Sequence, residues 1–144
     1  MKKVLVGMSG GVDSSVCAYL LQEQGYEVIG ATMLTRDGAE SEIGDARRVA
    51  DHLGIPHHVI DLRKEFQTDV TQAFTRAYLE GKTPNPCIVC NRRLKWGAFF
   101  EKSRHLGAEY FATGHYARIL LLPSGRYTLE NAAFINKDQT YVLY

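Results

Sequence analysis

The residues with the most chemistry in them stand at two places in the chain. The first is Ser9-Gly10-Gly11-Val12-Asp13-Ser14-Ser15, which joins an apolar run, VLVGM (4–8), to a run of helical periodicity. Gly10 and Gly11 are free to adopt positive φ and to let the main chain approach a ligand closely. The N–H groups of a helix's first turn, with the helix dipole behind them, favour an anion. Ser9, Ser14 and Ser15 add hydroxyl donors suited to phosphate oxygens. The alternative is a tight turn with an Asp or Ser cap and no ligand, but several hydroxyls and an acid at one strand-to-helix turn weigh against it. No lysine follows the glycines, so this is not the Gly-Lys-Ser/Thr cradle, and the spacing of GMSGGVDSS does not fit G-x-G-x-x-G.

The second place is TPNPCIVCNRRLKW (83–96). Here Cys87 and Cys90 are expected just ahead of a helix starting at about Arg92, with Arg92 and Arg93 in its first turn. A thiol near a helix N-terminus and cationic side chains has a lowered pKa and is a better nucleophile at neutral pH. Rival readings remain open at this point. Half a zinc site needs a second Cys or His pair, and His57 and His58, adjacent on a strand, point to opposite faces. A thioredoxin-type redox pair needs a different fold context. Buried structural thiols sit poorly beside PNP, which is expected to be exposed. Arg92, Arg93 and Lys95 read together as a basic patch for the phosphates of an RNA loop, or as a solvated helix face. Cys17 reads as a packed core thiol.

The elements that position these residues follow from periodicity and punctuation. Strands are expected at 4–8, 27–33 (EVIGATM), 57–62 (HHVIDL) and 110–114 (YFATG). The first helix runs from Asp13 to Gly25, with Val12, Val16, Tyr19 and Leu20 as its apolar stripe. Residues 35–44 read as a polar loop. A second helix, DARRVADHLG, places Ala46, Val49, Ala50 and Leu53 on one face and is closed by Gly54. A third, from about Lys64 to Leu79, carries Phe66, Val70, Ala73, Phe74 and Ala77. The segment 80–91 breaks the pattern, and a helix from about Arg92 to His105 follows, closed by Gly107. ARILLLPSGRYTLENA reads as a hairpin turning at PSG. Strands alternating with helices imply an α/β fold, a Rossmann-like parallel sheet covered on both faces, with ligands at the carboxyl ends of its strands.

Composition sets the outer bounds. A chain of 144 residues, 45% hydrophobic and 23% charged, is that of one soluble globular domain. A net charge of +1 gives no global sign of nucleic acid, so any such surface has to be local. The N-terminal apolar stretch is too short for a signal peptide, and no run reaches the roughly 18 apolar residues of a membrane helix. A cytoplasmic protein without membrane contact is expected. With 3 cysteines and no secretory signal, a disulfide framework is disfavoured. The final DQTYVLY lacks a stop signal or polar tail, so the chain is expected to be the front part of a longer protein.

The loop resembles S-G-G-x-D-S, the pyrophosphate loop of the N-type ATP pyrophosphatases, which cleave ATP between the α and β phosphates and adenylate a substrate oxygen. With the cysteine stretch, the chain resembles the tRNA-specific 2-thiouridylase family. GMSGGVDSSV, DARRVADHLGIPHHVIDL, GKTPNPCIVCNRRLKW, ATGHYAR and KDQTYVLY occur in that family's order. The resemblance implies an adenine nucleotide alpha hydrolase-like domain over 1–144, with tRNA-binding and β-rich domains downstream. It implies ATP on Gly7, Met8, Ser9, Gly10, Gly11, Val12, Asp13 and Ser14, with Met33 beside the adenine and Gly114 at the sheet edge. Mg²⁺ would accompany the triphosphate, with Asp13 a ligand or loop organiser. Cys90 is implied as the catalytic cysteine, with a second catalytic cysteine farther along and a disulfide between the two.

Asn85, Pro86 and Cys87 would contact the target base, and Lys137, Asp138 and Gln139 the tRNA. Alone, the last three read as a polar helix start. His115 is either polar lining or structural. The chain departs from the pattern at Cys87, where many members carry aspartate. A carboxylate there could act as acid or base, and a thiol only if its pKa suits. Cys87 and Cys90 could instead ligate an iron–sulfur cluster with a third cysteine. The implied partners are tRNA bearing a wobble uridine and a persulfide sulfur donor protein. Two alternatives stand beside this reading: another sulfur-inserting or amidating pyrophosphatase of the same superfamily, and a nucleotide-sensing domain related to universal stress proteins. A metal-binding interaction module built on the cysteine pair is a third.

Overall fold

A computed structural model describes residues 1–143. Tyr144, the last residue of the KDQTYVLY match, lies outside the described residues. Four strands, β1 (Lys3–Gly7), β2 (Glu27–Leu34), β3 (His57–Asp61) and β4 (Tyr110–Thr113), form one sheet in the order β3-β2-β1-β4. All its pairings are parallel, Gly7 facing Ala31 of β2 and Thr113 of β4. The expected α/β architecture is therefore present. Chain order runs outward from β1 through β2 to β3 and then returns to β1's other side with β4. The β1/β4 boundary is thus the switch point at which such sheets open a crevice beyond their strand ends.

Burial on both faces explains the strands' composition. On one side Val4, Val6, Met8 and Val28 pack against Ala18 of α1 (Val12–Glu23) and Ala46 and Ala50 of α2 (Glu40–Leu53). On the other, Leu5, Ile29, Ala31 and Ile60 pack with Leu62 and Phe99. Alternate residues of β1 thus serve opposite cores, as the period of 2 requires.

The structure corrects several expected boundaries and one face. The apolar stripe of α1 faces away from the sheet: Val12 is 77% exposed, while Ser14 and Ala18 are buried and Cys17 and Leu21 pack on the core. Small residues on the inner face allow α1 to lie close over β1 and β4. Helix α2 starts at Glu40, within the expected loop. The helix expected from Lys64 to Leu79 is α3 (Arg63–Glu65), a π-helical stretch Phe66–Thr71, and α4 (Gln72–Leu79).

The cysteine helix starts earlier than expected. It comprises α5 (Pro86–Val89), a π-helical stretch Cys90–Phe99, α6 (Phe100–Ser103) and a 3-10 turn Arg104–Leu106. Asn85 is its cap, accepting from Cys87 N at 3.1 Å, and Pro86 takes the first-turn position that needs no N–H. Cys87 and Cys90 therefore lie in its first turns, ahead of Arg92 and Arg93. The hairpin is as expected, with β5 (Arg118–Leu121) paired antiparallel to β6 (Tyr127–Glu130) around Gly125 at φ 78°. Lys137 ends a 3-10 turn, Ile135–Lys137, and a second, Thr140–Val142, follows Gln139, so KDQ links two short turns and starts no longer helix. Among the described residues no helix is long and apolar enough to cross a membrane.

Candidate functional site

The loop after β1 is pinned from the sheet outward. Met8 N donates to Ala31 O at 2.8 Å, and Met8 O accepts from Thr32 Oγ1 at 2.8 Å, so the strand's end is fixed to β2. Ser9 N then donates to Ser14 Oγ at 3.2 Å, Ser14 Oγ donates to Gly11 O at 3.2 Å, and Ser15 Oγ donates to Gly11 O at 2.7 Å. The serines expected to meet phosphate thus also brace the loop across its mouth. Of the two glycines only Gly10 has positive φ, at 79°, and Gly11 is the extended N-cap at φ −78°. A Cβ on Gly10 would come within 2.6 Å of Asp45 Cβ, because α2 closes against the loop there.

Gly114, just after β4, makes a close backbone contact with the loop. A Cβ there would stand 2.8 Å from Asp13 C and Ser14 N. The absent side chain therefore lets the end of β4 touch the first turn of α1. Around that contact lies a cavity of about 220 Å³, at the β1/β4 switch point. It takes in Gly7, Met8, Ser9, Asp13 and Ser14 from the first strand and helix, Met33 from β2, Gly114 and His115 after β4, and Gln139. Gly10, Gly11 and Val12 lie outside its lining, as do Asn85, Pro86, Cys87, Cys90, Lys137 and Asp138. Two aromatic rings, Phe99 and Phe111, form an apolar wall, their centroids 5.5 Å apart edge to face.

The rim carries contacts that sequence reading missed. Tyr116 OH donates to Asp13 Oδ1 at 2.9 Å, which raises the phenol's pKa through that bond. Tyr116 also exchanges two 2.9 Å bonds with Gln139, its N donating to Oε1 and its O accepting from Gln139 N. Asp138 accepts from the Thr140 hydroxyl and from Ala132 N at 2.7 Å, which lowers its pKa. Asp138 and Gln139 thus strap the last turns to the rim, while Lys137 stays exposed. The signal for Tyr116 was its place two residues after Gly114, and nothing in its spacing pointed to Asp13.

Lys95 is the second residue placed differently from its expectation. Arg92 and Arg93 are exposed, Arg93 reaching Asp69 at 3.8 Å, but Lys95 is half-buried and lines the cavity. Its Nζ stands 3.5 Å from His115 Nε2, and His115 Nδ1 is 2.6 Å from Thr113 Oγ1. Burial, then the Lys95 charge, lowers the His115 pKa to about 4.

The cysteines are all free thiols: Cys87 exposed, Cys90 and Cys17 half-buried. Cys17 Sγ donates to Thr113 O at 3.5 Å and its pKa is raised by burial, as a packed thiol's should be. The lowered pKa expected of Cys90 is not what its surroundings give. Burial raises it first, Lys95 pulls it down, and Cys87 adds to the rise. Among the described residues no group of three or more His, Cys, Asp or Glu could hold a metal ion, so an iron–sulfur cluster finds two thiols here and no third ligand. For magnesium the donor chemistry fits better, since Asp13 puts a carboxylate in the cavity wall.

A sequence profile described as "tRNA methyl transferase HUP domain" matches residues 2–144. The "tRNA-specific 2-thiouridylase MnmA" of Lachnoclostridium phytofermentans is 50% identical over 157 residues, covering 100% of this chain and 44% of that protein. The chain therefore spans less than half the length of that curated relative. Among solved structures, a "predicted subunit of tRNA methyltransferase" from Methanocaldococcus jannaschii superposes with a TM-score of 0.52 at 25% identity, over 79% of this chain and 53% of that one. The NMN synthetase of Francisella tularensis superposes with a TM-score of 0.52 at 20% identity, over 74% and 43%. That second likeness is one of fold alone.

Proposed function

The chain belongs to the tRNA methyl transferase HUP-domain family, and from that premise we propose that it is the ATP-binding and catalytic domain of a tRNA-uridine 2-sulfurtransferase, with tRNA-binding and β-rich domains downstream in the whole protein. The observation that carries this reading is that one cavity joins the Ser9–Ser14 loop to the helix of Cys90, through Lys95 and Phe99. Ser9, Asp13 and Ser14 of the loop and Lys95 line the same cavity, which suits a nucleotide whose phosphates rest at the loop end of it.

The chemistry follows from what the substrate needs. The 2-carbonyl oxygen of uridine is a poor leaving group. Transfer of the α-phosphoryl of ATP to that oxygen releases pyrophosphate, whose charge the loop amides and serines hold. Magnesium, with Asp13 as the carboxylate able to hold it, offsets triphosphate charge when bound. A persulfide sulfur, delivered by a donor protein onto a downstream cysteine, attacks C2 and AMP leaves with the oxygen. Attack of the Cys90 thiolate on the cysteine sulfur frees the thiocarbonyl and leaves a disulfide between the two cysteines. Cys87 stands where many relatives place an aspartate toward the base, with Asn85 and Pro86 beside it, and Lys137 offers its charge to the tRNA backbone.

The test uses the full-length enzyme with tRNA, ATP and a persulfide donor. In Cys90→Ser, 2-thiouridine formation should fall by roughly a thousandfold or more, while pyrophosphate release on tRNA addition persists. A Cys90→Ser protein that thiolates normally would remove Cys90 from the chemistry. ATP turnover that depends on ammonia, and yields no sulfurated tRNA, would favour an amidating enzyme instead.

A further inference from the structure

The helix that carries Cys90 brings Lys95 into the cavity wall, while Cys90 itself lies outside the lining. Residues Cys90–Phe99 are π-helical, and i→i+5 bonding sets residues five apart one above the other. Lys95 is the fifth residue after Cys90, about one π-helical turn on, and its charge acts on the Cys90 thiol. The neighbouring Arg92 and Arg93 are turned to solvent. The Lys95 head is held from the sheet. An ammonium only donates, so His115 Nε2, 3.5 Å away, accepts. The ring proton then sits on Nδ1, assigned from this network, and is given to Thr113 Oγ1 at 2.6 Å. Thr113 ends β4, paired with Gly7 at the base of the loop.

We propose that Lys95 is the charge-stabilising residue for both halves of the reaction: in the cavity it offsets the phosphate charge of the nucleotide, and along its helix it holds the Cys90 thiolate. His115, neutral at physiological pH, is the positioning residue that aims it. Burial alone would leave Cys90 a weak nucleophile, and Lys95 is the charge that opposes this. The acids nearby each have a partner other than Lys95. Asp69 pairs with Arg93, Asp13 accepts from Tyr116, and Asp138 is taken by the Ala132 N–H and Thr140. Cys87 is the thiol that works against it.

The phosphate half rests on the nucleotide reading of the loop, whereas the thiolate half needs neither nucleotide nor tRNA. In the full-length protein, the pH dependence of Cys90 alkylation by iodoacetamide is followed by peptide mapping, in a Cys87→Ser background. Lys95→Met should move the midpoint upward by roughly one pH unit, and Lys95→Arg should restore it. The same Lys95→Met protein should bind MgATP about tenfold more weakly. Arg76→Met, which removes a cation from exposed α4, should change neither. An unmoved midpoint overturns the thiolate half, and unchanged MgATP affinity overturns the phosphate half. If Lys95→Met does not fold, His115→Phe carries the test, since loss of the acceptor should raise the midpoint in the same direction and no rise overturns the proposal. The alkylation result stands whether or not the protein thiolates tRNA, so the two failures are separable.

Discussion

At the scale of single residues, the site depends as much on side chains that are absent as on those present. Gly114 is the clearest case, because its Cα meets the backbone of Asp13 and Ser14 with no room for a methyl group. Backbone cannot swing aside as a long side chain would, so Gly114→Ala must push β4 from α1 or distort the loop. Overpacking of this kind costs about 1–3 kcal/mol, and the displaced atoms are those that brace Ser14. We expect Gly114→Ala to lower the urea midpoint and to weaken MgATP binding together. Gly125→Ala, in the hairpin turn at φ 78°, should lower the midpoint through strain alone and leave nucleotide affinity unchanged. If Gly114→Ala bound MgATP normally while destabilised, the β4–α1 contact would be structural only.

At the scale of elements, the order of strands and helices was legible and the orientation of two helices was not. Short apolar runs closed by Gly25, Gly54 and Gly107 marked the alternation that a parallel sheet requires, and the hairpin turn was plain from PSG. The stripe Val12, Val16, Tyr19, Leu20 is a true helix face, but periodicity reports that apolar residues share a face, not that the face turns inward. Here the opposite face wins, since Ser14, Cys17 and Ala18 let α1 approach the sheet more closely than Tyr19 and Leu20 could. The cysteine helix was started too late for a different reason. Prolines interrupt a periodic pattern, whereas Asn85-Pro86 is a cap followed by a first-turn proline. Lys95 is near Arg92 and Arg93 in sequence but does not share their exposure, because only the fold shows which side of the π-helical stretch meets the cavity. The inward face of α1 can be tested directly. Ala18→Leu should cost about 1–3 kcal/mol by overpacking, and Leu20→Gln should change stability by no more than about 0.5 kcal/mol. The reverse ranking in urea titrations would put the apolar stripe against the sheet.

At the scale of the whole molecule, two histidines, one on β3 and one just after β4, make the fold sensitive to mild acid. His57, at the start of β3, has its Nε2 2.8 Å from Thr32 Oγ1. Because Thr32 spends its only proton on Met8 O, Nε2 must be the donor, and the buried Nδ1 has no partner. Protonation would add a second N–H with nothing to receive it. Burial, then the charges of Arg47 and His58, accordingly lowers the His57 pKa from 6.5. His115 is lowered to about 4 from the same starting value. Both rings are neutral in the folded chain at pH values where the unfolded chain is already protonated. The penalty is absent above pH 6.5, grows as pH falls, and for His115 levels off near its folded value of about 4. The lowered carboxylates Glu65 and Asp138 act in the same sense, but their stabilisation is lost only as pH falls below their ordinary values of 4.5 and 3.8. The interval between the two sets belongs mainly to the histidines. Because His115 is only half-buried, its share should be on the order of 1–2 kcal/mol after solvent screening. Urea unfolding should therefore show a lower midpoint at about pH 5 than at pH 7. His57→Gln and His115→Gln together should flatten that slope, even if each lowers stability at pH 7. A wild-type midpoint unchanged between those two pH values would mean that neither ring is held neutral, and the proton placement on His115 that orients Lys95 would fall with it.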